Sequence, residues 1–184
     1  MKPLMIVFMG GQGSGKGTFA HLLLQKHNFK YIEAGAILRT MPSDSIIGQK
    51  IARGELLSDA ELFPIISQYI TGNSDIILDG FPRTIGQAKW LIDNFSDKFE
   101  IKVIFLNISE EKMIAHIKKR IAEGGNRADD ADENAVHKRI ESFKTITMPA
   151  VELLKNESRV HFIDIHLPSD DINTNFDYIL EKIK

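Results

Sequence analysis

Nine residues near the start of the chain, Gly10-Gly11-Gln12-Gly13-Ser14-Gly15-Lys16-Gly17-Thr18, have the composition needed to hold an anion. Five of the 13 glycines fall in this run, and a lysine and a hydroxyl close it. Glycine accepts the backbone angles that curl a loop until successive N–H groups face one centre. Lys16 adds a full positive charge. The stretch before the loop, Leu4-Met5-Ile6-Val7-Phe8-Met9, is unbroken apolar and reads as a strand buried on both faces. After it, Phe19, Leu22 and Leu23 recur at helical spacing, with the pattern running on toward Lys26-His27. A helix opening at that point adds its unpaired N–H groups and positive dipole end. The chemistry indicated is phosphate binding.

Gly10-x4-Gly15-Lys16 fits the Walker A pattern, except that Gly17 stands where Ser or Thr usually follows the lysine and Thr18 comes one place later. A second candidate is Asp79-Gly80-Phe81-Pro82-Arg83-Thr84, followed by Gln87. An acidic residue ending an apolar strand, in a chain with a phosphate loop, is placed to approach a metal bound to those phosphates. Gly80 and Pro82 force a sharp exit, after which Arg83 offers a planar fork suited to bidentate phosphate contact.

The elements that must position these residues alternate along the chain. Further strands are expected at Phe29–Ile32, Asp75–Asp79, Ile101–Leu106 and Val160–Ile163, and helices at Ile85–Phe95, Glu110–Ala122, Glu133–Leu154 and Asp170–Ile183. Alternation of this kind predicts a parallel sheet with helices on both faces. About forty residues between the second and third strands exceed what a crossover needs, so a small helical insert is expected there. On the Glu110–Ala122 helix, His116 and Arg120 share one face, with Met113, Ile117 and Ile121 toward the buried side.

The chain has 184 residues, 43% of them hydrophobic and 26% charged, as for one globular domain. With no cysteine, disulfides, thiolate metal sites and a cysteine nucleophile are excluded. A net charge of −2 offers no general basic field for nucleic acid. One lysine before an apolar run of six is too little for a signal peptide or a membrane span, so a cytoplasmic protein without membrane attachment is expected. Asp130, Asp132, Asn134 and Glu141 match four EF-hand positions, but Ala135 replaces the required glycine and Val136, Ile140, Phe143 and Ile146 make the stretch helical. Trp90 with Phe95 reads as core rather than a base-stacking platform.

Gly-x-x-Gly-x-Gly-Lys-Gly-Thr together with Asp-Gly-Phe-Pro-Arg-Thr-x-x-Gln resembles the adenylate kinases, within the nucleoside monophosphate kinases, over nearly the whole chain. Gly35-Ala36-Ile37-Leu38-Arg39 is similar to the start of that family's acceptor-binding insert, and Gly54-Glu55-Leu56-Leu57-Ser58-Asp59 to the segment covering the acceptor base. His116 to Arg120, Asn126 to Asp130 and Lys138-Arg139-Ile140 resemble its lid and lid-flanking arginines. The short interval from Arg120 to Arg127 matches the short-lid form, which implies no structural zinc.

The resemblance implies a P-loop three-layer α/β fold: a five-stranded parallel sheet flanked by helices, in a single domain 1–184, with a helical insert near 35–64 and a short lid near 121–132. It implies the reaction ATP + AMP ⇌ 2 ADP with Mg2+, carried out by a monomer. Lys16 and the backbone of Gly13, Ser14, Gly15, Lys16, Gly17 and Thr18 would hold the donor phosphates. His116 and Arg120 would contact the donor nucleotide, and Thr18 and Asp79 would position magnesium, partly through water. Arg39, Arg83 and Arg139 would grip the acceptor phosphate, with Arg120 and Arg127 on the transferring group. Ala34, Glu55, Leu56, Leu57, Gly80, Phe81 and Gln87 would surround the acceptor, Gln87 reading its base. Independently of the resemblance, five of the seven arginines fall on these motif positions. That suits a reaction in which the protein supplies positioning and charge neutralisation rather than covalent chemistry.

The chain departs from the pattern at Ala34 for Thr, Ala36 for Asp, Glu33 for Ser, His116 for Arg and Gln12 for Pro or Ala, and lacks the usual glycine near Asp164–Leu167. Ala34 favours a UMP/CMP kinase of the same fold, which Thr84 and Gln87 oppose. Ala36 alone argues for a nucleotide-binding module without turnover.

Overall fold

The computed structural model describes residues 2–52, 57–124 and 133–184. Five strands, β1 (Leu4–Met9), β2 (Lys30–Glu33), β3 (Ile76–Asp79), β4 (Glu100–Leu106) and β5 (His161–Ile165), form one sheet in the order β2-β3-β1-β4-β5. All neighbouring pairs are parallel. β1 is central, and the chain leaves it toward β2 on one side and later toward β4 on the other. The carboxyl end of β1 is therefore the point where the winding direction changes, the place where open α/β sheets bind ligands.

The continuous apolar run of β1 has a direct structural cause. Met5, Val7 and Met9 pack into one hydrophobic cluster, while Ile6 and Phe8 pack into the cluster on the opposite face. All five are 2% exposed or less. Each such side chain contributes about 1.5–3 kcal/mol by leaving water. The first face is covered by α4 (Asp59–Ser67), α5 (Ile85–Phe95) and α8 (Met148–Lys155), the second by α1 (Lys16–Lys26) and α9 (Ile172–Ile183). A smaller cluster joins Met113 and Ile117 of α6 (Glu110–Ala122) to Val136 and Ile140 of α7 (Glu133–Ser142). Between β2 and β3 the described chain forms α2 (Ala34–Arg39), α3 (Ile46–Ala52) and α4.

The expected β1, α5 and α6 coincide with the structure, and the other strand ends shift by one or two residues. Local caps explain the helix starts: Thr84 Oγ1 accepts from the Gln87 N–H, and Ser109 Oγ from the Lys112 N–H. Two expectations need correction. The helix read as continuous from Glu133 to Leu154 is broken by a π-helical turn at Phe143–Thr147. Pro149 lies just beyond that turn, and a proline ring clashes with the carbonyl four residues back in a regular α-helix, so the wider turn lets the chain pass. Ile121, placed on the buried side of α6, is 45% exposed, as is Ile146 within the π turn. The buried stripe of α6 ends at Ile117, one turn short of its end. Trp90 does belong to the core, stacking on Phe63 at 4.4 Å and meeting Phe95 edge-on at 5.3 Å.

Candidate active site

The glycine loop occupies the carboxyl end of β1. Gly13 and Gly15 have φ of 81° and 95°, left-handed values that suit glycine. Gly15 is also the N-cap of α1, and no side chain caps that helix, so its first N–H groups turn toward the loop. A Cβ at Gly13 would run into the backbone carbonyl of Met113, which is how closely α6 approaches. His116, on the same helix, has Nδ1 2.9 Å from the Gly13 carbonyl oxygen. Lys16 Nζ donates to the carbonyls of Gly10 at 2.7 Å and Gly11 at 2.8 Å, which folds the ammonium back over the loop. Ser14 is fully buried and Thr18 is exposed.

Asp79 ends β3 directly beside this loop, in register with Phe8 of β1 and Glu33 of β2. It is 8% exposed, and its Oδ2 accepts a hydrogen bond from the Tyr31 hydroxyl at 2.9 Å. Gly80 follows with φ of 78°, and the Phe81–Pro82 peptide is cis. Arg83 Nε donates to the Gly80 carbonyl at 2.8 Å, which directs the guanidinium back toward the strand end. Desolvation lowers the Arg83 pKa, the charge of Arg139 lowers it further, and Asp79 acts in the opposite sense. Two cations and one carboxylate, 79 to 139 in sequence, thus share one electrostatic neighbourhood. The guanidinium stays cationic, as arginine does in proteins.

Gln87 is 7% exposed, and its amide is held at both ends. Oε1 accepts from the Arg83 N–H at 2.8 Å, and Nε2 donates to Asp59 Oδ1 at 3.2 Å. A primary amide has two lone pairs and two N–H groups, so one of each is left for a ligand edge. Ala34 and Phe81 are buried, Leu57 packs against the main core, and Arg120 is half-buried on α6. Arg39 ends α2 and pairs with Glu33 at 3.1 Å. Glu55, Leu56 and Arg127 lie outside the described residues, as does most of the expected lid. Arg159, off the motifs, is bound to Asp93 and Glu157 far from the loop.

Tyr31 and Asp59 were not singled out from the sequence as site residues, yet they orient Asp79 and Gln87. Tyr31 precedes Glu33 by two on a strand, so it shares that residue's face, which was the available signal. For Asp59 the signal was its place as the last residue of the segment matched to the base-covering motif, at the start of α4.

Among the described residues, no group of three or more His, Cys, Asp or Glu side chains is arranged to hold a metal. One buried carboxylate and one hydroxyl beside a phosphate loop suit magnesium, which takes most of its ligands from phosphate and water. No described helix is long and apolar enough to cross a membrane.

A family model described as adenylate kinase matches residues 8–159. The chain is 31% identical to the adenylate kinase of Agrobacterium fabrum, over 97% of this chain and 98% of that protein. It is 32% identical to the adenylate kinase of Prochlorococcus marinus, over 86% and 88% respectively. Adenylate kinase 1 of Schistosoma mansoni is 31% identical, over 98% of this chain and 94% of the relative.

Proposed function

The chain belongs to the adenylate kinase family, and on that premise we propose how its residues divide the work of moving the terminal phosphoryl group of ATP to AMP. The reaction is ATP + AMP ⇌ 2 ADP. The observation that supports the assignment of roles is Asp79 at the strand end beside the glycine loop, with Arg83 folded back onto the Gly80 carbonyl that follows it.

Lys16 turns its ammonium from the Gly10 and Gly11 carbonyls to the donor phosphates, whose oxygens are better acceptors. The N–H groups from Gly13 to Thr18 take the remaining phosphate lone pairs. Arg83 and Arg139 bring two positive charges to the strand end, and the acceptor phosphate would bind between them. Arg39 completes that grip, while Arg120 and Arg127 neutralise charge on the transferring group. Gln87, pre-oriented by Arg83 and Asp59, offers its remaining N–H and lone pair to the adjacent acceptor and donor on adenine's edge. Thr18 and Asp79 would hold magnesium, Asp79 through water. When bound, that ion offsets charge on the phosphate oxygens as the terminal group moves. Ala36 supplies no second carboxylate there.

The molecule works as one domain and a monomer in the cytoplasm. Its insert near 35–64 and short lid near 121–132 close over both nucleotides to exclude water. A coupled phosphotransfer assay with ATP and a panel of AMP, UMP, CMP and GMP tests the assignment. AMP is expected to be the best acceptor. A preference for UMP or CMP would move the chain to the pyrimidine kinases, and binding of both nucleotides without transfer would make it a non-catalytic module.

A further inference from the structure

Arg39, assigned above to the acceptor phosphate, is paired with a carboxylate of the chain itself. Its Nη2 lies 3.1 Å from Glu33 Oε1. Glu33 stands immediately before α2 and Arg39 is the last residue of that short helix. The guanidinium is folded back along the helix to reach the strand end. A Cβ built on Gly35 would sit 3.2 Å from Arg39 Nη1 and 3.9 Å from Glu33 Oε1, so the pair lies directly over that glycine. Glu33 is also in register with Asp79, which puts its carboxylate at the edge of the sheet where the anion site is built.

We propose that Glu33 is an internal competitor for the acceptor phosphate: its carboxylate occupies Arg39 and has to be displaced when the monophosphate binds. The proposal rests on the assignment of Arg39 to that phosphate. The two side chains are 66% and 34% exposed, so the pair sits in high dielectric and is weak. A phosphate dianion brings more charge and can take the guanidinium fork with two oxygens, so it wins the exchange. The exchange still carries a cost. The pair is broken, and a released carboxylate is left near a dianion of the same sign. Both effects weaken acceptor binding and leave the donor loop untouched. Glu33 thereby sets the acceptor concentration at which the enzyme fills, without entering the transfer step.

The test is calorimetric titration of AMP, without ATP or metal, into wild type, Glu33→Gln, Arg39→Ala and the double variant. Glu33→Gln keeps the shape and removes the charge, and is expected to bind AMP about two- to fivefold tighter with ATP affinity unchanged. Glu33→Ser is a second route to the same result. Arg39→Ala is expected to weaken AMP binding, and in its background Glu33→Gln is expected to lose most of its effect. Glu33→Gln binding AMP equally or more weakly, while Arg39→Ala is impaired, overturns this proposal alone. Unchanged AMP affinity in Arg39→Ala overturns the Arg39 assignment with it. A raised magnesium requirement in Glu33→Gln with unaltered AMP affinity also overturns the proposal, placing Glu33 at the metal instead.

Discussion

Lys16 and Gln87 show how side chains already engaged within the protein serve a ligand. The Lys16 ammonium bonds two loop carbonyls, those of Gly10 and Gly11, at the carboxyl end of β1. Losing it removes one cation from the phosphates without opening a cavity. Lys16→Met is therefore expected to lower kcat by at least ~10²–10³-fold while the thermal melt stays near that of wild type. Retained turnover would remove the loop from the mechanism, and a collapsed melt would make the lysine structural. Gln87 is different, because it is buried and its Oε1 is the partner of the Arg83 N–H. Gln87→Leu leaves that donor and Asp59 unmatched, at a cost of about 1–3 kcal/mol in stability. The same change removes the group that pairs with adenine, so preference for AMP over UMP, CMP and GMP should shrink more than ATP binding suffers. An acceptor panel and a melt on one preparation separate the two effects.

At the scale of elements, α3 and α4 are joined through one carboxylate. Glu61 Oε2 accepts from the Ser58 N–H and hydroxyl at 2.9 and 2.8 Å, closing a capping box at the start of α4. Its Oε1 accepts from Lys50 Nζ of α3 at 2.6 Å. The Lys50 hydrogen bond first, then those from Ser58, hold the Glu61 carboxyl down from 4.5 to about 2. A depressed carboxyl stabilises the fold in its ionised form. Its contribution is complete above 4.5 and disappears as pH falls from there toward about 2. Glu61→Gln should therefore melt below wild type at pH 7, and the gap should narrow steadily through that acid window. A constant gap in Tm across the titration would show that the carboxylate charge is not what ties α3 to α4. The π turn before α8 belongs to this scale too. Its Phe143 ring approaches Gly11 of the phosphate loop, and Lys144 pairs with Glu110 at the start of α6. An irregular turn forced by proline thus joins two elements that frame the donor site.

For the whole molecule, the site depends on a sheet buried on both faces. Leu78 is fully buried on β3 and directly precedes Asp79. Leu78→Ala is expected to cost about 2–5 kcal/mol through lost burial and the cavity left behind. The measurement is urea unfolding, with a lower midpoint and an unchanged m-value. A loss below about 1 kcal/mol would mean that the surrounding helices collapse into the space.

Much of the fold was legible because local patterns carry it. An unbroken apolar run dictates a strand covered on both sides, and hydroxyls at Thr84 and Ser109 mark where helices begin. The glycine loop was equally legible, since only glycine suits the angles at Gly13 and Gly15. The partners of the site residues were not. Gln87 meets Asp59 across 28 positions, Asp79 meets Tyr31 across 48, and His116 meets Gly13 across 103. Nothing in spacing announces such pairs, because they depend on the lateral order of strands and on how helices pack over them. The exposure of Ile121 has the same origin, being settled by what lies against the helix rather than by its own period, whereas the π turn before Pro149 follows from the proline itself. Backbone hydrogen bonding and apolar periodicity are properties of neighbouring residues, so the sequence alone determined the elements and the phosphate loop. Polar groups find partners only after the sheet is assembled, so the tertiary structure decided which carboxylate faces which cation.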